Sequence, residues 1–441
     1  MLKAESRSLL KDKTVETKYL LYILWGMAVL SVISLTISIR FFDYDFHANF
    51  FKGAINRFSD FFNSCRDASS SGVYTERHVI YPPLANYFYK IFSQIMSPAY
   101  LRTTGDVTNA YVNTSAMMSF TIYMVLITFF LTVAIYHSKT GSIPEKLAFS
   151  LFILISFPFL YAFERGNLVV VACILLIFFA ANHDNKNKIV RELALISLAA
   201  AAAIKIYPAF ALLLLVQQKR VKDAVKTAFY SSVLFIVPFF FMGGLTDMKV
   251  IVQNVSAFIH FRSGSPMITG STSLQSFLAV LGEHAHIGWL TGISGIAISV
   301  LVMLIGAAAI LFTSNVWKQW GLVFVLICNF PGANAGYMWV FAVLPLIFML
   351  NQKRSQRFDI IYLLLFISVM IYYPWLSGAY YLKTLNITGY SINGRIICGV
   401  TNAIYFMLIF ETFYKFIRKT IKNKRNARRE ATCPAIQNGA R

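Results

Sequence analysis

Apolar runs alternate along this chain with short polar stretches rich in Lys and Arg. A helix of about 20 apolar residues crosses the ~30 Å hydrocarbon core of a bilayer, and several runs have that length. The first covers roughly Tyr19–Arg40, and others fall near 114–137, 147–163, 168–182, 227–242, 289–313, 358–376 and 395–416. Two further stretches are interrupted. LALISLAAAAAI and PAFALLLLV, between 192 and 217, are parted by Lys205-Ile206-Tyr207-Pro208. Each half is too short to cross alone, so this is either one span with a lysine and a proline at its centre or a dip from one side, and the basic segments on both flanks favour the dip. The apolar stretch on either side of Pro331-Gly332-Ala333-Asn334-Ala335-Gly336-Tyr337 is broken by a second tight tip. The pattern predicts an all-α polytopic membrane protein, a bundle of about 10–12 transmembrane segments.

Between the first two spans lies a long segment, 41–113, and another polar stretch occupies 243–288. In the first, Tyr81-Pro82-Pro83-Leu84 fixes a turn, since proline locks φ and removes a donor. The LANYFYKIFSQIM that follows carries aromatics at helical spacing and reads as an interfacial helix.

Composition agrees: 57% of the 441 residues are hydrophobic and 13% are charged, well below a soluble domain. The net charge of +21 is concentrated in short loops (QQKRVKDAVK, NQKRSQRF) and in the tail KFIRKTIKNKRNARRE. That distribution marks cytoplasmic loops and anionic membrane lipids rather than nucleic acid as a partner. Residues 1–18 are then a cytoplasmic segment, 19–416 the transmembrane domain and 417–441 a basic cytoplasmic tail, with 41–113 and 243–288 facing outward. No small-residue cleavage site follows the first run, which is read as a span and not as a removed signal. The five cysteines have neither a disulfide framework nor zinc spacing.

The ionisable residues with a functional look share the outward face. Asp43 and Asp45 lie within about one helical turn of the bilayer edge, where a charge is costly unless it faces water, a partner or a substrate. Either can act as a general base toward a hydroxyl. Lys205, Arg165 and Arg262 offer cations to a phosphate, Arg as a planar fork and Lys as a point charge. Tyr207 adjoins the lysine; His78, Tyr81, Glu164, Asn167 and Tyr337 complete the outward set as substrate contacts. His284 and His286 lack a carboxylate constellation, so no metal site and no cofactor is expected. No Gly-rich phosphate loop or cytoplasmic domain is present for a nucleotide sugar.

The order of FFDYDF, YPPL, ERGN, AAAIKIYPAFALLLL, GSTSLQSFLAVLG and FPGANAGYMWVFAVLPLIFML resembles the GT-C superfamily of integral-membrane glycosyltransferases, specifically family 87, over about residues 41–350. The resemblance implies a GT-C-like bundle and inverting transfer from a polyprenyl-phosphate-sugar donor to a glycan or glycolipid acceptor. It places the site at the outer, periplasmic face of a bacterial inner membrane, and the catalytic base at Asp45 or Asp43. One departure is the tip, where the family's Gly-Gln is replaced by Arg165-Gly166-Asn167. The rival functions are a flippase or transporter of lipid-linked glycans, which needs ionisable residues near the midplane, and a polymerase, which uses arginine-rich outward loops.

Overall fold

The computed structural model describes residues 58–102, 113–264, 273–284, 286–290, 293–330, 336–352, 359–370 and 392–432. Every regular element among them is helical. In chain order these are α1 (Ser59–Ser69), α2 (Pro83–Ser93), α3 (Pro98–Arg102), α4 (Thr114–Ser138), α5 (Ile143–Leu154), α6 (Phe157–Arg165), α7 (Val169–Asn182) and α8 (Lys188–Ile204). There follow α9 (Leu212–Gln217), α10 (Val221–Ile236), α11 (Thr246–Gly264), α12 (Leu274–His284), α13 (Ile293–Phe312), α14 (Val316–Cys328), α15 (Val343–Asn351), α16 (Asp359–Met370) and α17 (Ile392–Thr432). Short 3-10 turns precede α9 (Tyr207–Ala211), extend α10 (Val237–Phe241) and precede α15 (Gly336–Ala342).

Three of these stretches are long and apolar enough to span a membrane: Thr114–Ser138, Val221–Phe241 and Ser294–Phe312. Helices α5 and α6 pass the same test together but are bent by 55°. The bend has a local cause. Ser156 is extended (ψ 150°), and Pro158 lacks the N–H that would carry the helix through. The shorter helices are enclosed by their neighbours. From Trp317 to Cys328 every residue of α14 is buried, Lys318 and Gln319 included, as befits a helix enclosed on all sides at the centre of a bundle. It is packed among α13, α15 and α17 and the turn at Gly336–Ala342.

Helices α7 and α8 form an antiparallel pair, and the chain reverses at Lys205-Ile206 so that α9 runs back. The return is fixed at its base, where Arg220 Nη1 donates to the His183 carbonyl (2.9 Å) and to Asp184 (2.5 Å). Lys205 thus stands at the tip of the dip that the KIYP interruption predicts. The sequence pattern reads 243–288 as a loop, whereas the described part of it is largely α11 and α12. Ile251 of α11 closes a small core with Val73, Tyr74, Phe239 and Met242, and this tertiary contact holds a segment whose own apolar periodicity is weak.

The short helices that precede α4 are held by aromatic packing. Helix α1 buries Phe61, Phe62, Cys65 and Ala68 along one stripe, with Asp60 in its first turn where the helix dipole favours an acid. The Phe61 ring meets Tyr123 at 4.8 Å, Phe120 at 5.3 Å, Phe92 at 5.8 Å and Tyr89 at 6.0 Å. One side chain therefore ties α1 to α2 and α4. Helix α2 starts at Pro83, turns Tyr89 and Phe92 inward and leaves Tyr87 and Ile91 exposed, as an amphipathic helix should.

The tip between α6 and α7 docks on the start of α1. Phe58 N–H donates to the Glu164 carbonyl at 2.5 Å, and Gly166 ends α6 in the left-handed conformation (φ 64°). A Cβ at Gly166 would lie 2.6 Å from Phe61 Cβ and 3.1 Å from the Phe120 ring. Gly166→Ala should therefore destabilise the protein by about 2–4 kcal/mol, through backbone strain and overlap with α1. The thermal midpoint of purified protein in detergent is expected to drop by several degrees; a midpoint equal to wild type would contradict this close approach.

Candidate functional site

The polar residues predicted to be functional converge where α1, the α6–α7 tip and the tip of the α8–α9 dip meet. The pivot is Asp60, a residue that sequence reasoning passed over. Arg165 Nη2 donates to its Oδ1 at 2.5 Å, and Asn167 Nδ2 donates to its Oδ2 at 2.7 Å. Both side chains of the pair are largely enclosed, Asp60 at 13% and Arg165 at 23% exposure. Asn167 is fully buried, and its Oδ1 accepts from Val169 N at 2.9 Å, so the same side chain also caps the start of α7.

Asn167 Nδ2 is also 3.2 Å from the Tyr81 hydroxyl, which accepts from it. The backbone of Tyr81 is fixed independently. Its carbonyl accepts from Asn86 Nδ2 (3.2 Å) and from the Tyr74 hydroxyl (3.3 Å), and Pro82-Pro83 follow directly. Burial, and after it the negative charge of Asp60, hold the Tyr81 phenol well above its ordinary pKa. Tyr81 therefore remains a hydroxyl at any working pH and serves as a hydrogen-bonding group, not as a base.

Lys205 is buried, with its Nζ 4.0 Å from the centroid of the Tyr81 ring. A cation in that position gains a cation–π contact, worth about 2 kcal/mol when desolvated. Among the described residues no carboxylate forms an ion pair with it. Its ammonium does not extend to the protein surface as a snorkelling lysine would. Next to it Tyr207 is buried against Phe341, ring centroids 5.7 Å apart, and its hydroxyl has no hydrogen-bond partner among the described residues. Two polar groups thus reach the same interior region without a partner among the described residues that satisfies them.

Tyr337 is the second residue of the Gly336–Ala342 turn, with its ring 6.0 Å from Tyr161, and its hydroxyl lies within electrostatic reach of Tyr81, Tyr207 and Arg165. Glu164 is buried behind the tip, where its charge acts on Tyr161. The structure therefore brings together Arg165, Asn167, Tyr81, Lys205, Tyr207 and Tyr337, with Glu164 behind them. His78 stands apart: it is exposed at a left-handed turn (φ 51°), and none of the hydrogen bonds described above reaches it. Asp43 and Asp45 lie outside the described residues, as does the side chain of Arg262. Among the described residues no group of three or more His, Cys, Asp or Glu side chains is gathered as a metal ion would need.

Chemically, this is one acid paired with one arginine, one buried lysine with a π face and no carboxylate partner among the described residues, and a group of tyrosine hydroxyls. Such a set suits a singly charged phosphate with a hydroxyl-bearing group beside it. Comparison with curated proteins and with solved structures gave no match. The sequence model of glycosyltransferase family 87 matches residues 80–330, more than half of the chain, and that region contains Tyr81, Glu164, Arg165, Asn167, Lys205 and Tyr207. With its apolar spanning helices and this match, the chain is a multi-pass membrane protein that belongs to glycosyltransferase family 87.

Proposed function

We propose that this glycosyltransferase transfers a sugar, with inversion, from a polyprenyl-phosphate donor to a glycan or glycolipid acceptor at the outer face of a bacterial inner membrane. The observation that carries the reading is Lys205, a buried ammonium at the tip of a helical dip with no carboxylate partner among the described residues. A lipid-linked phosphate supplies the missing charge, and the exposed apolar surface of the surrounding helices suits its polyprenyl chain. The distribution of Lys and Arg among the short loops supports the orientation.

In the reaction an acceptor hydroxyl attacks the anomeric carbon on the face opposite the phosphate. Its proton passes to a carboxylate, the new glycosidic bond forms, and the carbon–oxygen bond to phosphate breaks with its electron pair leaving on the phosphate. Lys205 offsets the charge that develops there, and Tyr207 can donate to the same group. Asp60 is poorly placed for the base, since each of its oxygens already accepts a hydrogen bond from the neighbouring tip. Asp45, or else Asp43, takes that role, at the point where the first span leaves the membrane.

Three measurements test this reading, and the first separates it from a flippase, which needs a sealed bilayer to act. In detergent, purified protein with a radiolabelled polyprenyl-phosphate sugar and acceptor should transfer label. Lys205→Met should weaken donor affinity by about 1.5–3 kcal/mol, the loss of one charge-assisted contact, while the fold is kept. Unchanged donor affinity in that variant would remove the phosphate role. Asp45→Asn, compared with Asp43→Asn at equal expression and saturating donor, should lower turnover by about 10²–10⁴ while binding persists. Near-normal turnover in both variants would overturn the base assignment and favour transport.

A further inference from the structure

Two cations serve the site, and they are not equivalent. Arg165 is already paired with Asp60 at 2.5 Å, whereas Lys205 has no ion pair among the described residues. Asp60 nevertheless acts on both. Among the described residues it is the charged group whose field reaches Lys205. The carboxylate is mostly enclosed, so water does little to screen that field. A physical link runs the same way, from Asp60 Oδ2 to Asn167 Nδ2 (2.7 Å), to the Tyr81 hydroxyl (3.2 Å), to the Tyr81 ring over the lysine (4.0 Å).

A negative charge close to an anion-binding lysine looks counterproductive until the whole turnover is considered. This step rests on the reading that Lys205 receives the donor phosphate. A sugar phosphodiester carries one negative charge, but the monoester left after transfer carries up to two near neutral pH, its second ionisation lying at about pH 6. A buried site with a stronger positive field would hold the product more tightly than the substrate, and release would limit turnover.

We propose that Asp60 is a positioning and charge-balancing residue that sets the anion affinity of the Lys205 site. It neutralises Arg165, moderates the field at Lys205 and, through Asn167, holds the Tyr81 ring on one side of the ammonium. The phosphodiester then binds in one orientation, and the phosphomonoester can leave. The pairing joins residues 105 and 107 positions apart, and its distances are those of full hydrogen bonds on both carboxylate oxygens.

The test is the affinity of the purified protein for undecaprenyl phosphate, read by titration calorimetry at low ionic strength beside donor kinetics. Asp60→Asn should bind it roughly tenfold more tightly, the direction and scale of removing one unscreened charge nearby. In the same variant kcat and the donor KM should fall together, as for an enzyme that retains its product. Asp60→Glu, which keeps the charge, should stay within about threefold of wild type in affinity. A merely structural Asp60 would give the opposite result, with weaker binding and a lower thermal midpoint together. If Asp60→Asn is not recovered folded, Asp60→Asn/Arg165→Gln compared with Arg165→Gln carries the same expectation. Affinity that is equal or weaker on loss of the Asp60 charge overturns the proposal. Wild-type protein that does not bind undecaprenyl phosphate overturns the donor reading along with it, whereas wild-type binding lost in Lys205→Met but unmoved in Asp60→Asn overturns the Asp60 role alone.

Discussion

An ammonium inside an apolar helical bundle is costly, because burial removes the water that would otherwise stabilise its charge. Much of the architecture around Lys205 can be understood as an answer to that cost. The helix that carries it stops one residue earlier, at Ile204, so the lysine sits at a turn and not in a helical wall. The Tyr81 ring covers one side of the ammonium, and Asp60 supplies a negative field without closing on it as an ion pair. Among the described residues no carboxylate takes its remaining donor positions. A lysine needed only for stability would be expected to find a carboxylate, as Lys318 does with Glu411 in the other buried charge cluster.

That arrangement depends on segments far from one another in the chain. The stretch before α4 contributes Asp60 and Tyr81, the α6–α7 tip contributes Arg165 and Asn167, and the dip contributes Lys205 and Tyr207. What brings them to one place is apolar. Phe61 locks α1 against α2 and α4, and Gly166 allows the tip to approach Phe61 more closely than a side chain would permit. Asn86 and Tyr74 then hold the Tyr81 carbonyl. The chemistry is carried by a few polar groups, and their spacing is set by aromatic packing and backbone turns.

The sequence shows some of this more readily than the rest. One interruption is visible because Lys205-Ile206-Tyr207-Pro208 breaks an apolar run, and that break marks a reversal. The Pro82-Pro83 pair likewise announces the start of α2. Asp60 is not visible in this way. Locally it is an acid in the first turn of a short amphipathic helix, a position where acids occur for the sake of the helix dipole alone. Its partners stand more than a hundred residues away, and only the fold reveals them. The acid embedded among phenylalanines in FSDFF was the one local hint. Helices α11 and α12 were missed for a different reason: they are held by contacts with the Tyr74 cluster and neighbouring helices more than by periodicity of their own. The bend between α5 and α6 follows from Ser156 and Pro158, which a hydropathy reading averages away.

The central claim is that Lys205 receives the phosphate of a lipid-linked donor. An experimental map of the protein with a non-hydrolysable polyprenyl-phosphate sugar bound tests it most directly. The account predicts a phosphate oxygen within about 2.7–3.2 Å of Lys205 Nζ, with the Asp60–Arg165 pair intact beside it and the sugar toward the tyrosine hydroxyls. A donor phosphate bound elsewhere, with the Lys205 ammonium still covered by Tyr81 and touching no ligand atom, would contradict it.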